Sequence, residues 1–176
     1  MGAGKSSVGR ALGQRLGWTF EDLDERIELR ERRKVSEIFR DSGEVEFRRA
    51  EHAALRELLT ELSGGAKRIV ALGGGAFAQP ENIDVIEASQ AATVFLDADA
   101  VELWRRCQEQ AAEQKTERPL LSNRRSFFDL YAARRPHYLK ARFRQDTGGK
   151  AVDEIVGALV EALRLNPSRE KRGEKN

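Results

Sequence analysis

Met1-Gly2-Ala3-Gly4-Lys5-Ser6-Ser7 opens the chain, and its reading decides the fold. Gly4-Lys5-Ser6 fits the last three positions of the phosphate-loop pattern G-x-x-x-x-G-K-[ST]. Backbone N–H groups around Gly2 to Lys5 can cup an anion, and a helix that follows points its positive end at it. In such a loop the lysine reaches the terminal phosphates and the Ser6 hydroxyl sits on Mg²⁺. The pattern's first glycine would fall two positions ahead of Met1, as would the strand that feeds such a loop. The expectation is therefore that Met1 is an internal methionine and that translation starts upstream. The plain alternative is a flexible terminus that happens to hold a lysine. Against it, Val8, Leu12 and Leu16 recur at helical spacing directly after the loop, which is the context the motif requires.

At 176 residues the chain is the size of one domain with a real core. Lysine and arginine total 31 against 29 aspartates and glutamates, a formal charge of +2 and too balanced for a nucleic-acid binder. A single cysteine, Cys107, excludes an internal disulfide framework and fits a reducing cytoplasm. No signal-peptide pattern is present, and no apolar run approaches the roughly 20 residues that span a bilayer.

Helices are predicted over 5–16, 24–33, 35–41, 44–62, 101–110, 126–140 and 152–165. Strands are predicted over 19–23, 68–72, 92–96 and, at an edge, near 142–145. The alternation argues for an α/β domain over 1–166. The charged stretch 167–176 lacks an apolar anchor and is expected to be disordered.

Asp22-Leu23-Asp24 falls at a strand end, where α/β sheets place ligands, and residues two apart share a strand face. One carboxylate can help hold hydrated Mg²⁺ and the other can accept a hydroxyl; an acidic helix start is the structural alternative. Glu46-Phe47-Arg48-Arg49 places cations in the first turns of a helix, against its dipole. An arginine there suits a carboxylate clamp, or else pairs with Glu44 or Glu51 on a solvated face. Gly73-Gly74-Gly75 after a β-branched run lets backbone approach a ligand closely, or makes a turn. Arg118-Pro119-Leu120-Leu121 follows a polar stretch with the profile of a lid, or of an ordinary loop. Arg134-Arg135-Pro136-His137-Tyr138 kinks its helix at Pro136, which could turn Arg134 to a cleft. His52 and His137 have no partner at metal or triad spacing. Trp18, Trp104 and Cys107 read as packing residues.

Taken in order, these motifs resemble the shikimate kinase family of nucleoside-monophosphate-kinase-like P-loop enzymes, from Met1 to about Leu165. The resemblance implies a three-layer P-loop fold with a parallel sheet in the order 2-3-1-4-5, whose central first strand is missing from this chain. It implies ATP- and Mg²⁺-dependent phosphorylation of the 3-hydroxyl of shikimate by a cytoplasmic monomer, without nucleic acid or membrane as partner. Gly2, Ala3, Gly4, Lys5, Ser6 and Ser7 would hold the phosphates of ATP, with Ser6 on the metal and Asp22 supporting it through water. Lys5, Asp24 and Arg118 would be catalytic, Asp24 as base and Arg118 from the lid. Arg106 would stack on adenine. Arg48 and Arg134 would clamp the shikimate carboxylate, with Gly73, Gly74 and Gly75 closing the pocket and Val35, Phe39 and Phe47 walling the ring. A gluconate-kinase-like enzyme and a non-catalytic ATP- or shikimate-binding domain are the alternatives.

Overall fold

The computed structural model describes residues 2–114 and 123–165. Helix α1 (Lys5–Leu16) follows the phosphate loop directly and ends at Gly17, whose φ of 66° supplies the left-handed turn that stops it. Then come β1 (Thr19–Asp22), α2 (Leu23–Glu31) and α3 (Val35–Ser63), followed by β2 (Arg68–Ala71), a 3-10 turn (Ala76–Ala78) and α4 (Pro80–Ala88). The rest is β3 (Val94–Asp97), α5 (Ala100–Gln114), α6 (Arg124–Tyr138), β4 (Phe143–Asp146) and α7 (Val152–Ala162).

All strand pairing is parallel. β1 pairs β2 from Thr19↔Arg68 to Asp22↔Ala71, and β3 pairs β4 from Val94↔Phe143 to Asp97↔Asp146. Among the described residues no strand joins β2 to β3, so the pairs stand as two separate sheets rather than one continuous one. Side chains alternate along β2 as a doubly covered strand requires. Val70 and Leu72 pack on the core beneath α2, α3 and α4, while Ile69 joins the core of α1 and α7. A third cluster, built on Leu103, Cys107 and Phe127, ties α5 to α6.

The break expected at Ser42-Gly43 is present: the two helical stretches of α3 meet at Gly43 with φ 80° and ψ 176°, a conformation open essentially to glycine alone. Eight residues of unbroken helix would separate Phe39 from Phe47 by about 12 Å along the axis. Instead their ring centroids lie 4.4 Å apart, because the break folds the two halves towards each other. Helix α4 is an addition, lying in a stretch the sequence reading left unassigned. Pro80 starts it, and Ile83 and Ile86 bury one narrow face. Asn82 is buried beside them, donating to the Ala76 carbonyl at 3.1 Å while its oxygen meets His52 Nδ1 at 2.8 Å. His52 is thus a structural residue. The tail 167–176 and Arg118 lie outside the described residues.

Gly43 and Gly157 both have open space where a Cβ would sit, so substitution there isolates the backbone. Gly43→Ala should lose about 1–3 kcal/mol, a fall of several degrees in Tm. Gly157→Ala, inside α7 with ordinary helical geometry, should gain about 0.5–1 kcal/mol. Thermal melts of the two variants against the parent chain check both signs.

Candidate active site

The phosphate loop is built on two glycines in the left-handed region, Gly2 with φ 62° and Gly4 with φ 77°. Gly2 is pressed onto α5, where a Cβ would stand 2.5 Å from the Leu103 carbonyl oxygen and 2.9 Å from Cys107 Sγ. Gly4 caps α1 without a side-chain hydrogen bond, and the first turn of α1 carries no acid. Gly4 thus offers no side chain of its own to the first N–H groups of α1, and the helix dipole adds positive potential there. This is the donor set a phosphate fits. Ala3, Lys5, Ser6 and Ser7 continue the loop into the helix.

Asp22 joins this loop to the next element. It caps α2, its Oδ1 accepting from the Asp24 backbone N–H at 3.1 Å, and its Oδ2 accepts from Ser6 Oγ at 3.1 Å. One hydroxyl and one carboxylate oxygen side by side suit Mg²⁺, which keeps most of its waters and takes phosphate oxygens for the rest. Among the described residues no cluster of three or more His, Cys, Asp or Glu offers a fuller cage.

Asp24 stands in the first turn of α2, half-buried. Desolvation raises its pKa above the ordinary carboxylate value and the charge of Asp22 raises it further, while Lys5 and Arg48 oppose the shift. The triple glycine lies against it: a Cβ on Gly73 would be 2.7 Å from Asp24 Oδ1, and one on Gly75 would be 2.7 Å from both terminal nitrogens of Arg48. An acid and a guanidinium therefore meet across backbone that no side chain could share. The Gly74 carbonyl accepts a short hydrogen bond from Tyr138 Oη, which pins the end of α6 to the loop.

Arg48 is held on two sides, by Glu44 at 3.0 Å and Glu51 at 2.8 Å. Both alternative partners foreseen for a solvated face are used, yet Glu51 is only 1% exposed and the pair belongs to the interior. Burial raises the pKa of Glu51, Arg48 pulls it down, Asp24 raises it and Arg134 lowers it. Arg134 also opposes the upward push that burial gives the Tyr138 phenol. These effects place Arg134 with Glu51 and Tyr138, on the same side as Arg48 and Asp24. The neighbouring arginines are spent elsewhere. Arg49 is on the surface with Glu46, and Arg135 pairs with buried Asp97 at 3.2 Å. Val35 packs at the edge of the core beneath α3, and Phe39 stacks on Phe47, whose ring also lies 5.1 Å from the Arg48 guanidinium carbon.

Arg106 sits away from this group. Its guanidinium donates to the Thr147 carbonyl at 2.8 Å and the Thr147 hydroxyl at 3.3 Å, and its Nε donates to Glu102 at 2.9 Å. Arg105 and Arg106 together hold the Glu102 carboxyl down to about 2. Asp97 and Tyr138 are structural members to which the sequence reading gave no role, and Glu51 is one it offered only as a partner on a solvated face. For Glu51 the available signal was its spacing of three from Arg48 on one helix face.

The shikimate kinase family matches residues 1–164. Among curated relatives, the shikimate kinase of Persephonella marina is 34% identical over 93% of this chain and 94% of its own. That of Geobacter metallireducens is 38% identical over 91% and 86%. Among solved structures, shikimate kinase from Aquifex aeolicus superposes with a TM-score of 0.78 at 30% identity, over 93% of this chain and 92% of that one. Shikimate kinase from Acinetobacter baumannii in complex with shikimate gives 0.78 at 29% identity, over 93% and 88%. A gluconokinase from Sinorhizobium meliloti, at 19% identity and a TM-score of 0.51, shares the fold alone.

The raised pKa of Asp24 means the folded state binds its proton more tightly than the unfolded chain does. Stability is therefore lost as pH rises from the ordinary carboxylate range through the raised value. Asp24→Asn removes that penalty, so its Tm should exceed the parent's at pH 8. The gap should close below about pH 4, where the parent carboxyl is neutral. Paired melts across that range measure it.

Proposed function

This chain belongs to the shikimate kinase family, and we propose the following division of labour among its side chains for the ATP-dependent phosphorylation of shikimate. The loop Gly2–Ser7 binds the phosphates of ATP, with Lys5 on the oxygens where negative charge develops. Ser6 and Asp22 hold Mg²⁺, Asp22 through water. The metal, when bound, neutralises phosphate charge and orients the transferring group. Asp24 accepts the proton of the attacking 3-hydroxyl. Its basicity is raised by burial and by Asp22, which suits a general base better than an ordinary surface aspartate would.

Arg48 and Arg134 bind the shikimate carboxylate, the backbone of Gly73 to Gly75 closes on the acceptor, and Val35, Phe39 and Phe47 face its ring. Arg106 lies against adenine and Arg118 closes over the phosphates. We further propose that residues 1–166 act as one catalytic unit, a monomer in the cytoplasm. Among the described residues no helix is long and apolar enough to cross a membrane.

One observation carries this reading: the base and the carboxylate clamp converge on the same glycine backbone, with a Cβ at Gly73 or Gly75 excluded by Asp24 and Arg48 respectively. An acceptor that carries both a hydroxyl and a carboxylate fits that pairing. Gluconate also carries hydroxyls and a carboxylate, so the choice of shikimate over it rests on the family match over residues 1–164 and on relatives 34% and 38% identical.

Arg48→Lys keeps the charge that Glu51 needs and loses the planar fork. It should raise KM for shikimate about tenfold or more while kcat changes little. Asp24→Asn should lower kcat by about 10²–10⁴ with a smaller effect on KM. ADP release measured with ATP, Mg²⁺ and shikimate separates the two. Equal and small effects from both substitutions would contradict the roles assigned here.

A further inference from the structure

Helix α6 carries Arg134 and Tyr138 to the acceptor side of the site, yet apolar packing does little to hold it there. Phe127, near its start, is its one buried residue, and Phe128 and Tyr131 join the same small core only in part. The helix is also weakened close to the clamp. Pro136 has no N–H, so the Ala132 carbonyl loses its helical partner in the turn that bears Arg134. Polar contacts from outside the helix must therefore fix how that turn is aimed.

The main hold comes from Asp97, which ends β3 with its side chain only 5% exposed. Its Oδ2 accepts from Arg135 at 3.2 Å and from Arg144 Nε at 2.8 Å, and its Oδ1 accepts from Tyr131 Oη at 3.2 Å. Arg135 Nε donates in turn to the Tyr131 oxygen at 3.3 Å. Tyr131 and Arg135, one turn apart on one helix face, thus close a ring on a single carboxylate. Arg144 binds the same carboxylate from β4. Asp97 has two arms, one to the helix and one to the neighbouring strand.

Successive residues step about 100° around a helix axis. Holding Arg135 against β3 therefore turns Arg134 to a different side, where Glu51 and Tyr138 stand. Beyond Pro136, Tyr138 donates to the Gly74 carbonyl, and its ring centroid lies 5.4 Å from that of Phe95. The weak turn is bracketed by Asp97 before it and by Gly74 after it. We propose that Asp97 is a positioning residue for acceptor binding: through Tyr131 and Arg135 its carboxylate sets the rotation of α6 that presents Arg134 to the acceptor's carboxylate. The role rests on the assignment of Arg134 to the carboxylate clamp. The nucleotide side is independent of that side chain, because Asp97 holds Thr147 by its main-chain carbonyl, which accepts from the Thr147 N–H at 2.7 Å, and Thr147 in turn holds Arg106.

The test compares the two arms. Tyr131→Phe weakens the helix arm, Arg144→Gln cuts the strand arm alone, and Asp97→Asn weakens both. Shikimate Kd by calorimetry, KM for shikimate and for ATP by ADP release, and Tm are read on each full-chain variant. Expected is a rise of about fivefold or more in shikimate Kd and KM for Asp97→Asn and about threefold for Tyr131→Phe, with kcat and KM for ATP within about twofold of the parent. Arg144→Gln should leave shikimate binding unchanged, whatever it costs in Tm. If Asp97→Asn does not melt cooperatively, Tyr131→Phe, which deletes a single hydroxyl, decides the matter. A merely structural Asp97 would move Tm and leave shikimate binding unmoved in the helix-arm variants, or move it equally in Arg144→Gln, and either result would overturn the proposal. Arg134→Lys separates it from the clamp: a raised KM there with none in Asp97→Asn removes the role of Asp97 alone, and no rise in either removes both.

Discussion

Everything at the candidate site depends on two carboxylates, Asp24 and Glu51, held out of water against one guanidinium. Burial alone would neutralise such groups or drive them to the surface. Here Arg48 stands between them, bonded to Glu51 and close enough to lower the pKa of Asp24. A buried ion pair of this kind is weak evidence for stability, because desolvation offsets much of the attraction. Its value is positional. Glu51 is almost fully buried on a rigid helix, so the guanidinium it holds has little freedom to leave the glycine loop.

The scaffold serves that arrangement at several points. Gly43 breaks α3 so that Phe39 and Phe47 meet beside Arg48. Asp22 caps α2, which sets Asp24 in its first turn, and the same carboxylate accepts from Ser6 in the phosphate loop. Tyr138 ties α6, and with it Arg134, to Gly74. Two pairs of chain segments are thus fixed by side chains at the site itself, the phosphate loop to the start of α2 and the end of α6 to the glycine loop. Strain and desolvation gather there, as expected where function competes with stability.

Much of this was legible in the sequence because the signals were local. The start of α1 follows from Gly4-Lys5-Ser6 and the Val8, Leu12, Leu16 face, and the structure ends the helix at the predicted residue. All four strands fall within two residues of their predicted bounds. What the sequence left open was long-range. Nothing local distinguishes Arg48 from Arg49 or Arg134 from Arg135; in the fold Arg48 pairs with buried Glu51 and Arg135 with buried Asp97. Glu51 itself looked like a surface partner, since burial of a charge depends on contacts from other elements. Helix α4 escaped because its apolar face is only two isoleucines wide and its polar Asn82 is turned inward.

The central claim is that Asp24 is a desolvated carboxyl whose basicity is set by its surroundings. Its side-chain carboxyl can be followed by carbon-13 NMR through a pH titration of the parent chain and of Asp22→Asn. The account predicts a midpoint above the ordinary aspartate value of 3.8 in the parent, moving down towards it when the neighbouring charge is removed. A midpoint at or below the ordinary value, unmoved by Asp22→Asn, would contradict it.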